Sequence, residues 1–189
     1  MMVYMGDESF WDDKFGCRSD RPLNPEEAIV ENVKYFKNGT VLDIACGDGR
    51  NSLFLLEKGF KVKGVDFSTK ALLRLEKFAA RNNYEVETEL IDLSEDDALK
   101  NIGVFDDVLV NHFRVSKSIM HDLKNHLSHG GVLFVSGFGH KHKPDLKIRK
   151  EDLIQPDDFE PLKNDFELLH YEEFEDERGF FVTYIYRKN

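Results

Sequence analysis

Cysteine is scarce: Cys17 and Cys46 are the only two in 189 residues, and they form no CxxC pair. A disulfide framework is therefore not expected, and both are read as free thiols. No run of 18 apolar residues occurs, and the amino terminus MMVYMGDESF lacks a basic region followed by an apolar one. Neither a membrane span nor a signal peptide is expected, and the protein is placed in the cytoplasm. Positive charge is also in deficit, at a formal net charge of −10. Such a chain repels phosphate backbones, so nucleic acid is not an expected partner. One local exception is HKHKPDLKIRK, residues 140–150, with five Lys or Arg against one Asp. It reads either as a solvated loop or as a lip for an anionic substrate.

What is present is a chain that is 41% hydrophobic and long enough for one substantial core. A single domain over 1–189 is expected, with 1–24 as an arm or lid. Apolar runs alternate with helical patterns, the signature of βαβ units and a doubly wound α/β sheet. An opening helix is expected over LNPEEAIVENVKYF, capped by Asn24, with Pro25 at its first position and Ile29, Val30, Val33 and Phe36 as its buried stripe. Strands are expected at Thr40 to Ile44, Lys61 to Val65, Val86 to Ile91, Phe105 to Asn111 and Val132 to Phe138. Helices are expected near 50–58, 69–82 and 117–127. FELLHYEEF and GFFVTYIYR are joined only by EDERG, too short for a crossover helix, so they form an antiparallel hairpin at the sheet edge.

Ligands of open α/β sheets bind beyond the carboxyl ends of the strands, here at the loop after Ile44 in VLDIACGDGRN. Gly47 and Gly49 allow close backbone approach, yet the GxGxxG fingerprint is absent because Ala45 and Ser52 occupy its outer positions. Asp48 would oppose a pyrophosphate by about 4 kcal/mol at 4 Å and an effective dielectric near 20. S-adenosylmethionine has a sulfonium and no phosphate, and fits such a loop. Asp48 itself is expected to face solvent or cap the following helix, leaving the backbone to bind. Asp66 in GVDFS lies 17 residues past Gly49, where a carboxylate accepts both ribose hydroxyls. Asp92 in ELIDLS ends the third strand and is placed to face the adenine amino group, with Ile91 or Leu93 flanking the base.

LDIACGDGRN, GVDFSTKAL, HFRVSKSIMHDLKNHLSHGGVLFVSGF and the closing hairpin together resemble class I S-adenosylmethionine-dependent methyltransferases, in particular their small tellurite-resistance-like branch. The resemblance covers roughly residues 8–188. It implies a seven-stranded Rossmann-like sheet of order 3-2-1-4-5-7-6. It also implies that Asp43, Ala45, Gly47 and Gly49 hold the amino acid part of the cofactor, Asp66 with Phe67 the ribose, Asp92 with Leu93 the adenine, and backbone at Asn111 and His112 the methionine part. Ala45 departs from the family's first glycine, a change common in this branch. NHFR after the fourth strand lacks the NPPY-type signature, which disfavours amide or nucleobase N-methylation.

The expected partner is a small-molecule methyl acceptor: a thiol, a chalcogen oxyanion or a small carboxylate. A base is needed only if the nucleophile arrives protonated, and His112 and His140, at the ends of the fourth and fifth strands, are the candidates. His140 and His142 have no third placed ligand, so no metal is expected. Upstream, Tyr4, Trp11, Arg18 and Arg21 belong to the segment that the resemblance implies lids the pocket, the arginines as receivers of an anionic substrate. Two other classes share the sheet: a nicotinamide-dependent oxidoreductase, disfavoured by Asp48 and the incomplete loop, and a non-catalytic cofactor-binding module. Oligomeric state is left open.

Overall fold

A computed structural model describes residues 8–95 and 97–189. Seven strands form one sheet of order β3-β2-β1-β4-β5-β7-β6. They are β1 Thr40–Ile44, β2 Lys61–Asp66, β3 Glu87–Leu90, β4 Phe105–Asn111, β5 Leu127–Phe138, β6 Phe166–Asp176 and β7 Gly179–Lys188. All pairings are parallel except those of β7, which runs antiparallel to both β5 and β6. The fold class, the strand order and the edge hairpin match the expectation. Helices α1 Glu8–Cys17, α2 Glu27–Asn32, α3 Arg50–Glu57, α4 Thr69–Arg81 and α5 Lys117–Asp122 complete the layers.

The central strands are buried on both faces, which is why they read as continuous apolar runs. One face packs Leu42, Ile44, Val108 and Val110 against Ile119, Met120 and Phe159. The other packs Val41, Leu109 and Phe134 against Leu55, Leu75 and Phe78. Ser68 caps α4, accepting from the Ala71 N–H at 3.2 Å, and its hydroxyl also donates to Asp12 of α1. The arm is thereby tied to the start of α4.

Four local expectations are corrected. The opening helix starts at Glu27, with Glu26 as its extended N-cap, so neither Asn24 nor Pro25 plays its expected part. Tertiary bonds decide this: the Glu26 N–H donates to Asn51 Oδ1 at 3.0 Å, holding that residue outside the helix. Val30 faces outward at 42% exposure and is not part of the buried stripe, and the helix gives way to 3₁₀ geometry at Val33–Tyr35. α5 ends at Asp122 and gives way to a 3₁₀ turn at Leu123–Asn125, and β5 begins at Leu127 rather than Val132. Finally, the segment read only as an arm contains the ten-residue helix α1.

Candidate active site

The carboxyl ends of β1, β2 and β4 open into a cavity of about 890 Å³, a volume in the upper range for small-molecule sites. β1 delivers Asp43, 2% exposed, whose carboxylate accepts from Ser52 Oγ at 2.5 Å. Burial pushes Asp43 up to about 7, against the Ser52 hydrogen bond and with help from the charge of Asp66. The chain then turns through two left-handed residues, Ala45 at φ 54 and Gly47 at φ 56. A Cβ at Gly47 would lie 3.1 Å from Phe15 Cζ, so the arm covers this glycine closely. From β2, Asp66 accepts the Gly47 N–H at 2.8 Å and the Ser68 N–H at 2.9 Å, and burial raises its pKa despite these bonds. A carboxylate has about four lone-pair sites, so two remain for a ligand diol.

Most expected ligand-facing residues converge here. Asp43, Ala45, Gly47, Asp66, Phe67, Asp92, Leu93, Asn111 and His112 all line the cavity, as do Trp11 and Arg18 of the arm. From the basic run, Lys147 and Ile148 reach it too. Gly49 does not line it: its φ of 82 turns the chain into α3, and a Cβ there would meet Leu75 Cδ1 at 2.2 Å. Its role is packing, not ligand contact. Arg21 is exposed and away from the cavity. His140 is also absent from the lining. It packs against Phe180 with Nδ1 buried and unbonded, which removes it as a base candidate. Tyr4 lies outside the described residues.

Asp48 overturns its expected orientation. It is 3% exposed and bonded to Arg18 Nη1 at 2.8 Å and Arg74 Nε at 3.2 Å. Two guanidiniums recruited from α4 and the end of the arm neutralise it, a pairing with no local sequence signal. A second network also escaped sequence reasoning. Glu26, 6% exposed, receives Arg50 Nη1, His112 Nε2 at 2.8 Å and Arg178 Nη1 at 3.1 Å. Burial opposes its ionisation, but the bond and charge of His112 and the two arginines prevail and hold it at about 2. Arg114 is bound by both oxygens of Asp158, at 2.6 and 2.8 Å. The partners in these pairs lie 24 to 152 positions apart.

A phosphate-free cradle of this kind, set on this strand order, defines the Rossmann-like class I methyltransferase fold. The chain belongs to the TehB family: the model of tellurite resistance protein TehB matches residues 3–176. A probable S-adenosyl-L-methionine-dependent methyltransferase TehB from Haemophilus influenzae is 30% identical over 107 residues, which is 54% of this chain and 37% of the relative. Hemagglutinin 1 of Eikenella corrodens is 31% identical over 153 residues, covering 77% of this chain and 50% of that one. Among solved structures, TehB from Haemophilus influenzae superposes with a TM-score of 0.72 at 22% identity, covering 96% of this chain and 67% of that one. The matched region is thus a half or less of the length of these curated relatives.

Proposed function

We propose that the protein binds S-adenosylmethionine in this cavity and transfers its methyl group to a small-molecule acceptor, a thiol, chalcogen oxyanion or small carboxylate. The observation that carries this reading is the convergence of Asp43, the Gly47 turn, Asp66 and Asp92 on one cavity wall with no phosphate-binding loop. When bound, the cofactor supplies a methyl already activated by its sulfonium, so the protein's part is alignment and exclusion of water. Asp43 and the loop backbone receive the amino acid end, Asp66 beside Phe67 the ribose, Asp92 with Leu93 the adenine, and Asn111 the methionine chain. Trp11 and Arg18 form the lip. His112 accepts the proton of any acceptor that arrives protonated.

Calorimetry with S-adenosylhomocysteine tests it. One site per chain is expected, with a higher melting temperature at millimolar ligand. Asp66→Ala should lower affinity about 100-fold or more and Asp92→Ala about tenfold, because hydrogen bonds to charged groups contribute about 1.5 to 3 kcal/mol each and Asp66 makes two. Equal losses would refute the ranking, and binding of NADH instead would refute the cofactor.

A further inference from the structure

We infer that Lys14 of α1 and Lys147 of the basic loop are specificity-determining residues that together capture an anionic acceptor, a chalcogen oxyanion or a carboxylate, at the cavity wall they share. This rests on the methyl-transfer reading above and assigns residues to its acceptor. Both lysines line the cavity, from segments far apart in sequence. Lys14 is held in place: its Nζ lies 4.2 Å from the centroid of the Trp11 ring and 5.5 Å from that of Phe10, and Trp11 in turn stacks on Phe15 at 5.5 Å. Ring faces attract the ammonium and leave its charge unneutralised. Lys147 sits in a turn closed by Asp145, whose Oδ1 accepts the Lys147 N–H at 2.6 Å and the Ile148 N–H at 2.7 Å. The one acid of residues 140–150 is thus engaged with backbone, and Lys147 alone of the run's five cations lines the cavity.

The arginines of the wall are already matched. Arg18 has Asp48, Arg50 has Glu26, Arg114 has Asp158, and Arg178 has Asp176 and Glu26. The two lysines differ: among the described residues neither ammonium is bridged to a carboxylate, although Glu8 and Asp152 also line the cavity. Burial and the charges of Arg18 and Lys147 lower the pKa of Lys14, and Asp48 only partly offsets them. Like charges gathered without a counter-charge repel one another, and an anion placed among them turns each of those interactions favourable. The acids proposed to hold the cofactor come from the strand ends, whereas both lysines come from segments outside the sheet, so acceptor and cofactor are received by different elements. Lysine is a point charge with three rotatable donors and imposes no planar geometry. A pyramidal chalcogen oxyanion and a flat carboxylate are therefore received alike.

Trp11 is the single tryptophan of the chain and lies against the Lys14 ammonium, so its fluorescence reports on that charge. Sodium selenite and sodium acetate, the chalcogen and carboxylate probes, are titrated at low salt into protein saturated with S-adenosylhomocysteine. Wild type should give a saturable change with at least one of them, and the tighter of the two identifies the acceptor class. Lys147→Met should weaken that anion about tenfold, since a lost charge-assisted bond is of that order. Lys143→Met, on the same loop but off the cavity, should leave it unchanged. With selenite as acceptor, S-adenosylhomocysteine release should show KM raised about tenfold in Lys14→Met and in Lys147→Met, with kcat within about threefold of wild type. Lys14→Arg should restore that KM, and the KM for uncharged ethanethiol should stay within about twofold in every variant. No saturable response to either anion, or equal weakening by Lys143→Met, overturns the proposal. So does an approximately tenfold loss of S-adenosylhomocysteine affinity in Lys14→Met or Lys147→Met, which would assign the lysines to the cofactor's own carboxylate. Each of these leaves the cofactor reading intact. Failure of the wild type to bind S-adenosylhomocysteine overturns that reading and this one with it.

Discussion

Asp48 in the glycine loop is held by Arg18 and Arg74 while itself 3% exposed. Its charge therefore contributes little to the field at the ligand, and the loop's preference against pyrophosphate rests more on its incomplete glycines than on this carboxylate. The consequence for mutation reverses the one that sequence suggests. Asp48→Asn keeps an acceptor but leaves two guanidiniums facing a neutral amide, and removing one partner of a buried pair costs more than the pair was worth. Because both arginines keep some solvent contact, the loss should be moderate, about 1–3 kcal/mol of unfolding free energy. Urea denaturation decides it: a change below about 0.5 kcal/mol would show that the pairs are incidental. Ala45 illustrates the same sensitivity without charge, since at φ 54 it occupies a region where a Cβ costs about 1–2 kcal/mol.

The joint between the β1–α3 turn and α4 is where elements constrain one another. Gly49 is the left-handed N-cap of α3, and the space its Cβ would fill is taken by Leu75 of α4, fully buried in the core. Gly49→Ala therefore combines backbone strain with overpacking and should destabilise by about 2–4 kcal/mol, read as a fall in melting temperature. Because Gly49 does not line the cavity, the substitution should affect S-adenosylhomocysteine binding less than Gly47→Val does; the reverse order would put Gly49 back in the site. Elements of this kind are legible in sequence to different depths. β1 and β4 match their expected limits to the residue because each is a buried apolar run bounded by turn chemistry. α1 was not legible: ESFWDDKFGC buries Phe15 but has no clean apolar stripe, and its place depends on Asp12 meeting Ser68 and Arg18 meeting Asp48. The acids proposed to hold the cofactor were legible because Asp43, Asp66 and Asp92 lie at or just beyond the carboxyl ends of β1, β2 and β3. Glu26 was not, since its meaning depends on Arg178, which is 152 positions away.

Across the whole molecule the displaced acids fall into two groups with opposite effects on stability. Glu26 is held at about 2 by His112 and the arginines that outweigh its burial; its contribution is present above the unfolded value and is lost as pH falls through about 2. Asp43, raised to about 7, and Asp107, raised to about 6 mainly by burial, work the other way. Between the unfolded carboxylate value near 4 and these folded values the native state binds more protons than the unfolded chain, so stability falls as pH rises. The ligand-free protein should accordingly melt highest near pH 5 and lose stability toward pH 7.5, and Asp43→Asn should flatten that slope. Occupation of the site changes the balance at Asp43. If the ammonium of S-adenosylhomocysteine lies against it, the opposite charge favours the carboxylate, and the proton held in the empty site is expelled on binding. Affinity should then rise with pH up to about 7, by at most tenfold per unit, with a proton released at pH 6 to 6.5. Calorimetry in two buffers of different ionisation enthalpy measures that proton directly. A binding enthalpy independent of the buffer would mean that Asp43 does not change protonation and that the amino acid end is held elsewhere on the loop.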